Sequence, residues 1–145
     1  MGKPSIEELK VKIQWAWEAT YCKGNLDALD EIYSRDVVIH APPQPDENGV
    51  DSYKRHATEA LRLYTNIRYD WEEIIGEGNT IVVRFTMHMK HTGTSQMLPL
   101  PPTGKELTVK CCRIAHLKDG KIVEDFNYAD LLGLFQQLGI PPPIG

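Results

Sequence analysis

At 145 residues, with 41% hydrophobic and 25% charged side chains, the chain has the size and composition of one domain, residues 1–145, able to bury its own core. A net charge of −4 leaves no basic stripe to neutralise phosphates, which disfavours a nucleic-acid partner, and no run reaches the roughly 20 apolar residues of a membrane span. The cysteines Cys22, Cys111 and Cys112 are odd in number and lack CxxC spacing. Neither a disulfide framework nor a metal site is therefore expected, and with no apolar stretch after Met1 the expectation is a cytoplasmic protein.

Ser5-Ile6-Glu7-Glu8 is a capping box opening a helix of about five turns, with Ile6, Leu9, Ile13, Ala16 and Thr20 as its stripe, widened by Trp17 and Tyr21, and Gly24 as its stop. Asn25 caps an expected second, shorter helix with Leu26, Leu29, Ile32 and Tyr33 on one face, ending near Ser34-Arg35-Asp36. Val37-Val38-Ile39-His40, cut off by Ala41-Pro42-Pro43-Gln44-Pro45, predicts a short edge strand, because proline donates nothing to a ladder. After the turn-forming Asp46-Glu47-Asn48-Gly49, a third helix carries Tyr53, Ala57, Ala60, Leu61 and Tyr64, capped by Asp51 or Ser52.

From Ile67 the period changes to two. Ile67 to Ile75 and the alternating Ile81, Val83, Phe85, Met87 and Met89 form a hairpin around Gly76-Glu77-Gly78-Asn79. A proline-rich loop, Leu98 to Gly104, leads to strands Glu106 to Leu117 and Lys121 to Tyr128, joined at Asp119-Gly120. A short helix from Asp130 to Leu138, closed by Gly139 with prolines behind it, comes last. The order α-α-β-α-β-β-β-β predicts an α+β cone: a curved antiparallel or mixed sheet wrapped around N-terminal helices, with an internal pocket that suits a small apolar ligand.

Four ordered motifs are specific: Phe85 to Gly93, Pro101-Pro102-Thr103-Gly104-Lys105, Asp119 to Glu124, and Asp130 to Gly139. With Gly24-Asn25-Leu26 and His40-Ala41-Pro42 they resemble the SnoaL-like polyketide cyclase family of the NTF2-like superfamily, over essentially the whole chain. The resemblance implies the cone fold and a homodimer through the outer sheet face, where Val82, Cys112 and Ile114 would lie. It also implies cofactor-independent acid–base chemistry of cyclase, isomerase or hydrolase type on a hydrophobic polyketide- or terpenoid-like compound. A non-catalytic small-molecule binder and a dimerisation module with a vestigial pocket are the other readings, since one fold hosts many functions.

The last two strands carry the candidate chemistry, and their register decides which side chains face the pocket. A two-residue turn at Asp119-Gly120 sets Arg113 opposite Phe126. A three-residue bulged loop, the expected form, sets Arg113 opposite Asp125 and places Val109, Cys111, Arg113 and Ala115 on one face with Val123, Asp125 and Asn127.

Where the family pattern has an acid–base aspartate and a histidine, this chain has Asn127 and Arg113, so the aldol cyclase mechanism is not carried over: an amide only hydrogen-bonds, and arginine is not a base in water. Asp125 then stands as the candidate base beside Arg113 as oxyanion binder, unless the two are an ion pair that only satisfies buried charge. Epoxide hydrolases of the same superfamily bracket an arginine with two carboxylates, and in this chain Ala115 stands where the second would be. His40, near the mouth, is a further catalytic candidate. Trp17, Tyr21, Tyr53, Phe85, Met87, Met89 and Cys111 are candidate substrate contacts, with Met97, Leu98 and Leu100 as a lid. His88 and His91 point to opposite strand faces and do not form a metal pair; His56 and His116 carry no constellation; Asp130 caps the last helix.

Overall fold

The computed structural model describes residues 4–141. Met1 to Lys3 and the last of the prolines expected behind the terminal helix lie outside the described residues. Helix α1 spans Ile6–Lys23; the Glu8 amide donates to Ser5 Oγ at 3.1 Å, and Gly24 ends the helix in the left-handed conformation at φ 73°. The expected second α-helix is instead a 3-10 turn, Leu26–Glu31. Its last turn already bonds three residues back, with the Ile32 amide on the Leu29 carbonyl at 3.2 Å, while the Ile32 carbonyl accepts from the Ile122 amide at 2.7 Å. Pairing across the sheet thus claims Ile32, and Tyr33, expected on a helix face, begins strand β1 (Tyr33–His40).

Strand β1 is not the edge. Strand β2, Glu47–Asn48, pairs with Val38 and Ile39 and covers it. The third helix, α2, spans Val50–Leu63, with Gly49 at φ 92° as its N-cap and no side-chain cap, so Asp51 and Ser52 fall inside the first turn and Tyr64 belongs to the next strand. Strands β3 (Tyr64–Glu77), β4 (Thr80–His91), β5 (Glu106–Lys118) and β6 (Lys121–Ala129) form an antiparallel meander, and helix α3 (Leu131–Leu138) follows. Asp130 caps α3 as expected, accepting from the Gly133 amide at 2.9 Å.

The sheet order is β2-β1-β6-β5-β4-β3, with β1 parallel to β6. It is curved, mixed and unclosed, and α1 packs across it toward β3, as the alternation and element order imply. Trp17, fully buried, stacks on Trp71 at 6.1 Å and meets Phe85 at 5.8 Å. Burying a large apolar side chain in this way contributes roughly 1.5–3 kcal/mol.

The β5–β6 register matches neither sequence alternative. Lys118 pairs with Lys121 across Asp119 (φ 53°) and Gly120 (φ 78°), the two positive φ values of a two-residue hairpin turn. A bulge then opens between His116 and Leu117, which face Glu124 and Ile122, so Val123 is the extra residue. Arg113 lies opposite Asn127, and Asp125 opposite Ala115. The extra residue restores the expected grouping of Arg113, Asp125 and Asn127 on one face, but Ile122, fully buried, takes the inward place expected for Val123.

The segment from Thr92 to Lys105 is held at both ends. Thr92 and Gly93 amides donate to the Leu63 carbonyl at 3.0 Å, and buried His91 accepts the Thr103 amide at Nδ1, 3.2 Å. The outer face of β4 carries His88, 2.7 Å from Asp70. His88 and His91 therefore do face opposite ways.

Candidate active site

Arg113 and Asp125 meet inside the sheet. Asp125 is 0% exposed; Arg113 donates to its carboxylate from Nη2 at 2.5 Å and from Nε at 3.3 Å, and the Tyr33 hydroxyl donates to it at 2.7 Å. Tyr33 in turn accepts from the Trp17 indole at 3.0 Å, and the guanidinium carbon sits 4.8 Å above the Trp17 ring. Burial works against the Arg113 charge, but Asp125, Tyr33 and Tyr53 outweigh it and hold its pKa well above the ordinary arginine value. Burial likewise pushes the Tyr33 phenol well up, which Arg113 partly opposes. The pair is thus desolvated, doubly hydrogen-bonded and set among aromatic rings.

The other edge of the guanidinium faces a cavity. Arg113 Nη1 donates to the Tyr53 hydroxyl at 3.0 Å, and Tyr21 donates to the same oxygen at 3.0 Å. Two donors occupy the Tyr53 oxygen, so its own O–H proton is left without an acceptor among the described residues; were Tyr53 to donate to Tyr21, the Tyr21 proton would be left instead. Burial, then the neighbouring Tyr53 and Tyr69, raises the Tyr21 pKa well above the ordinary value and keeps the phenol neutral.

Tyr21, Tyr53 and Arg113 line a throat of about 50 Å³, with Asn127 and His56 at its rim. The throat adjoins an outer cleft of about 360 Å³, which shares Ala41, Gln44, His56 and Asn127 with it and is closed by Met97 and Leu131. A larger surface groove of about 620 Å³ lies at the opposite end of β1 and β6, among Arg35, Lys54 and Lys121, and touches the network only at Tyr33.

Of the residues expected to form the site, Tyr21, Tyr53, Arg113 and Asn127 come together at the throat. The Asn127 Oδ1 is buried without a partner there. Asp125 borders neither throat nor cleft, its oxygens being turned to Arg113 and Tyr33. Trp17, Phe85, Met89 and Cys111 are buried in the core behind the throat, with Met87 packed against it; Cys111, lifted by burial to about 11, is held as a thiol. His40 is on the opposite face of the sheet, its Nε2 2.8 Å from Glu124 and its Nδ1 2.9 Å from Asp46, stacked on Phe126 at 4.6 Å. Those carboxylates, Glu124 first, raise its pKa. The strand parity that turns Ile39 inward turns His40 out.

Two participants carried no sequence signal strong enough to find them. Tyr33 was hidden by its helix-like spacing. His56 follows Tyr53 by three residues, which puts both on one helix face, but its partner Glu47, 3.1 Å from Nδ1, comes from β2. Among the described residues no group of three or more His, Cys, Asp or Glu could hold a metal ion.

Several solved structures share this architecture. TsrD from Streptomyces laurentii shares 22% identity, with 90% of this chain and 97% of that one covered and a TM-score of 0.76. A protein of ketosteroid isomerase-like fold from Catenulispora acidiphila, solved with trimethylamine, shares 15% over 92% and 96% of the two chains at a TM-score of 0.73. An LEH-like epoxide hydrolase from M. tuberculosis shares 14% over 93% and 92% at 0.70. At these identities the likeness concerns the fold. No curated protein sequence matches the chain significantly. The family model described as SnoaL-like polyketide cyclase, in contrast, matches residues 11–138, from the first turns of α1 to the end of α3 and so across every element that builds the throat; the chain belongs to the SnoaL-like polyketide cyclase family.

Proposed function

We propose that this chain is a single-domain, cofactor-independent enzyme that binds a small hydrophobic carbonyl compound of polyketide or terpenoid type and stabilises negative charge on its oxygen. The observation that carries the reading is the phenolic proton left over at the Tyr21–Tyr53 pair, beside the Arg113 cation, in the throat that opens into the outer cleft. An oxygen that gains charge during enolisation, aldol closure or isomerisation would accept that proton's hydrogen bond in a poorly hydrated site. Asp125 in this reading is a positioning residue: it holds Arg113 in place and is too fully engaged to serve as the base. The hydrophobic body of the substrate would fill the outer cleft against Met97, Ala129 and Leu131. Assembly as a homodimer through the outer sheet face, and a cytoplasmic setting, belong to the same proposal; no described helix is long and apolar enough to cross a membrane.

The test uses 2-naphthol, a planar mimic of a bicyclic enolate. The wild-type protein is expected to bind it and to raise its naphtholate absorption band at neutral pH. Tyr53→Phe and Arg113→Met should each weaken binding about 10- to 100-fold, the range for hydrogen bonds to charged groups. Equal binding and ionisation by wild type and both variants would remove the oxyanion site. Binding without any ionisation would favour a non-catalytic carrier.

A further inference from the structure

An oxyanion site at the throat needs a base to generate the charge it stabilises. Of the ionisable side chains that line throat and cleft, Tyr21 and Tyr53 are proton donors and Arg113 does not release its proton in water. Only Glu47 and His56 are left to accept one. The geometry points to His56, oriented by Glu47, as the general base of this enzyme; the inference rests on the carbonyl-binding reading above and names the missing partner of its chemistry.

The placement is built by two separate elements. Glu47 is fixed by β2, where it pairs with Ile39, and its carboxylate stands 3.1 Å from His56 Nδ1. That negative charge favours the tautomer with the proton on Nδ1 and leaves the Nε2 lone pair, which has no partner among the described residues, to act. His56 lies one helical turn after Tyr53 on α2, so the base and the phenol project from the same helix face. His56 is also one of the few residues shared by throat and cleft, which places it where the carbon next to a throat-bound carbonyl would sit. Its side chain is 38% exposed, giving the proton a route to solvent.

In the step assigned, the C–H bond beside the carbonyl breaks and a new N–H bond forms at His56 Nε2. The electron pair moves into the enolate, whose oxygen accepts from the phenol and faces Arg113. The same imidazolium then returns the proton, to carbon in an isomerisation or to the new alkoxide in an aldol closure. No oxidant or metal is required, and atoms and charge balance over the cycle.

Deuterium exchange into the α-carbons of 2-tetralone, followed by proton NMR in D₂O, reads this step without knowledge of the natural substrate. Wild-type protein is expected to accelerate exchange, His56→Gln to lose about 100-fold of it, and Glu47→Gln about 10-fold, within the range for a positioned acid–base group. Both variants should keep the wild-type circular-dichroism spectrum and melt within about 2 °C of wild type, which separates a lost base from a damaged fold. In His56→Ala, added imidazole should restore exchange above the rate that imidazole gives alone. If wild type exchanges and His56→Gln keeps its rate within threefold, His56 is not the base although the carbonyl site stands. If wild type ionises 2-naphthol but does not exchange 2-tetralone, the base assignment is overturned on its own; if it does neither, both readings fall.

Discussion

Replacing Asp125 by asparagine keeps the shape of the inner network but removes its negative charge and turns one acceptor oxygen into an NH2 donor. The carboxylate is 0% exposed and the Arg113 side chain 6%, with nitrogen–oxygen separations of 2.5 and 3.3 Å and a Tyr33 hydroxyl at 2.7 Å. The asparagine oxygen can still accept from Arg113, but the guanidinium becomes a buried cation without a counter-charge, a state that costs about 3–5 kcal/mol. For 145 residues the unfolding entropy is about 0.3 kcal/mol/K, so the midpoint should drop by about 10–17 °C. Thermal unfolding followed by circular dichroism reads this directly. Arg113→Met with Asp125→Leu removes both charges and should recover more than half of the loss, because two desolvated ions gain little over apolar residues of similar volume. A single variant that melts within about 2 °C of wild type, or a double variant at the sum of the single losses, would refute a desolvated pair as the centre of this network.

Two further outcomes follow from features outside the throat. His40 has a raised pKa and Glu124, bonded to it, a lowered one. The His40 contribution is full below the unfolded value of about 6.5 and is lost as pH rises through the folded value, while the Glu124 contribution appears above about 4.3 and is lost on acidification. The melting-temperature gap between wild type and His40→Ala should therefore be widest from about pH 5 to 6.5 and narrow by pH 9; a gap that does not change with pH contradicts the pairing. Gly93→Ala should cost about 3 kcal/mol in urea unfolding, because a Cβ there would lie 1.7 Å from the Arg62 carbonyl oxygen. Gly78→Ala meets nothing within 4 Å and, at φ 59°, should cost only about 1 kcal/mol; equal losses at the two sites would remove the steric explanation.

The meander was legible because period-two alternation in β4 and β5 is set by burial on one face, which local composition records directly. Tyr33 was not, since Leu26, Leu29, Ile32 and Tyr33 satisfy a helical spacing and only the distant Ile122 amide decides for a strand. The bulge at Val123 has no glycine or proline to announce it; the two-residue turn and the bulge each move the expected register by one residue, so Arg113 and Asn127 keep the shared face that alternation implies. Alternation puts Asp125 on the inner face, where it is buried, but the phenol that bonds it comes from β1 and the indole behind that phenol from α1, and spacing within one strand says nothing about company from another. His56 needed Glu47 across a loop to become more than a helix-surface histidine.

The parallel pairing of β1 with β6 makes the throat a late event in the life of the chain. Successive hairpins from Tyr64 to Ala129 close short loops, whereas Tyr33 must find Asp125 across 92 residues, at a greater loop-closure cost. A ribosome that has released the chain as far as Lys118 has exposed strands β1 to β5 but neither the residue that anchors Arg113 nor the strand that carries Asn127. On the proposed carbonyl-binding reading, ligand capture would report completion of folding, and an added enolate mimic would act as a template that selects finished molecules from a partly folded pool.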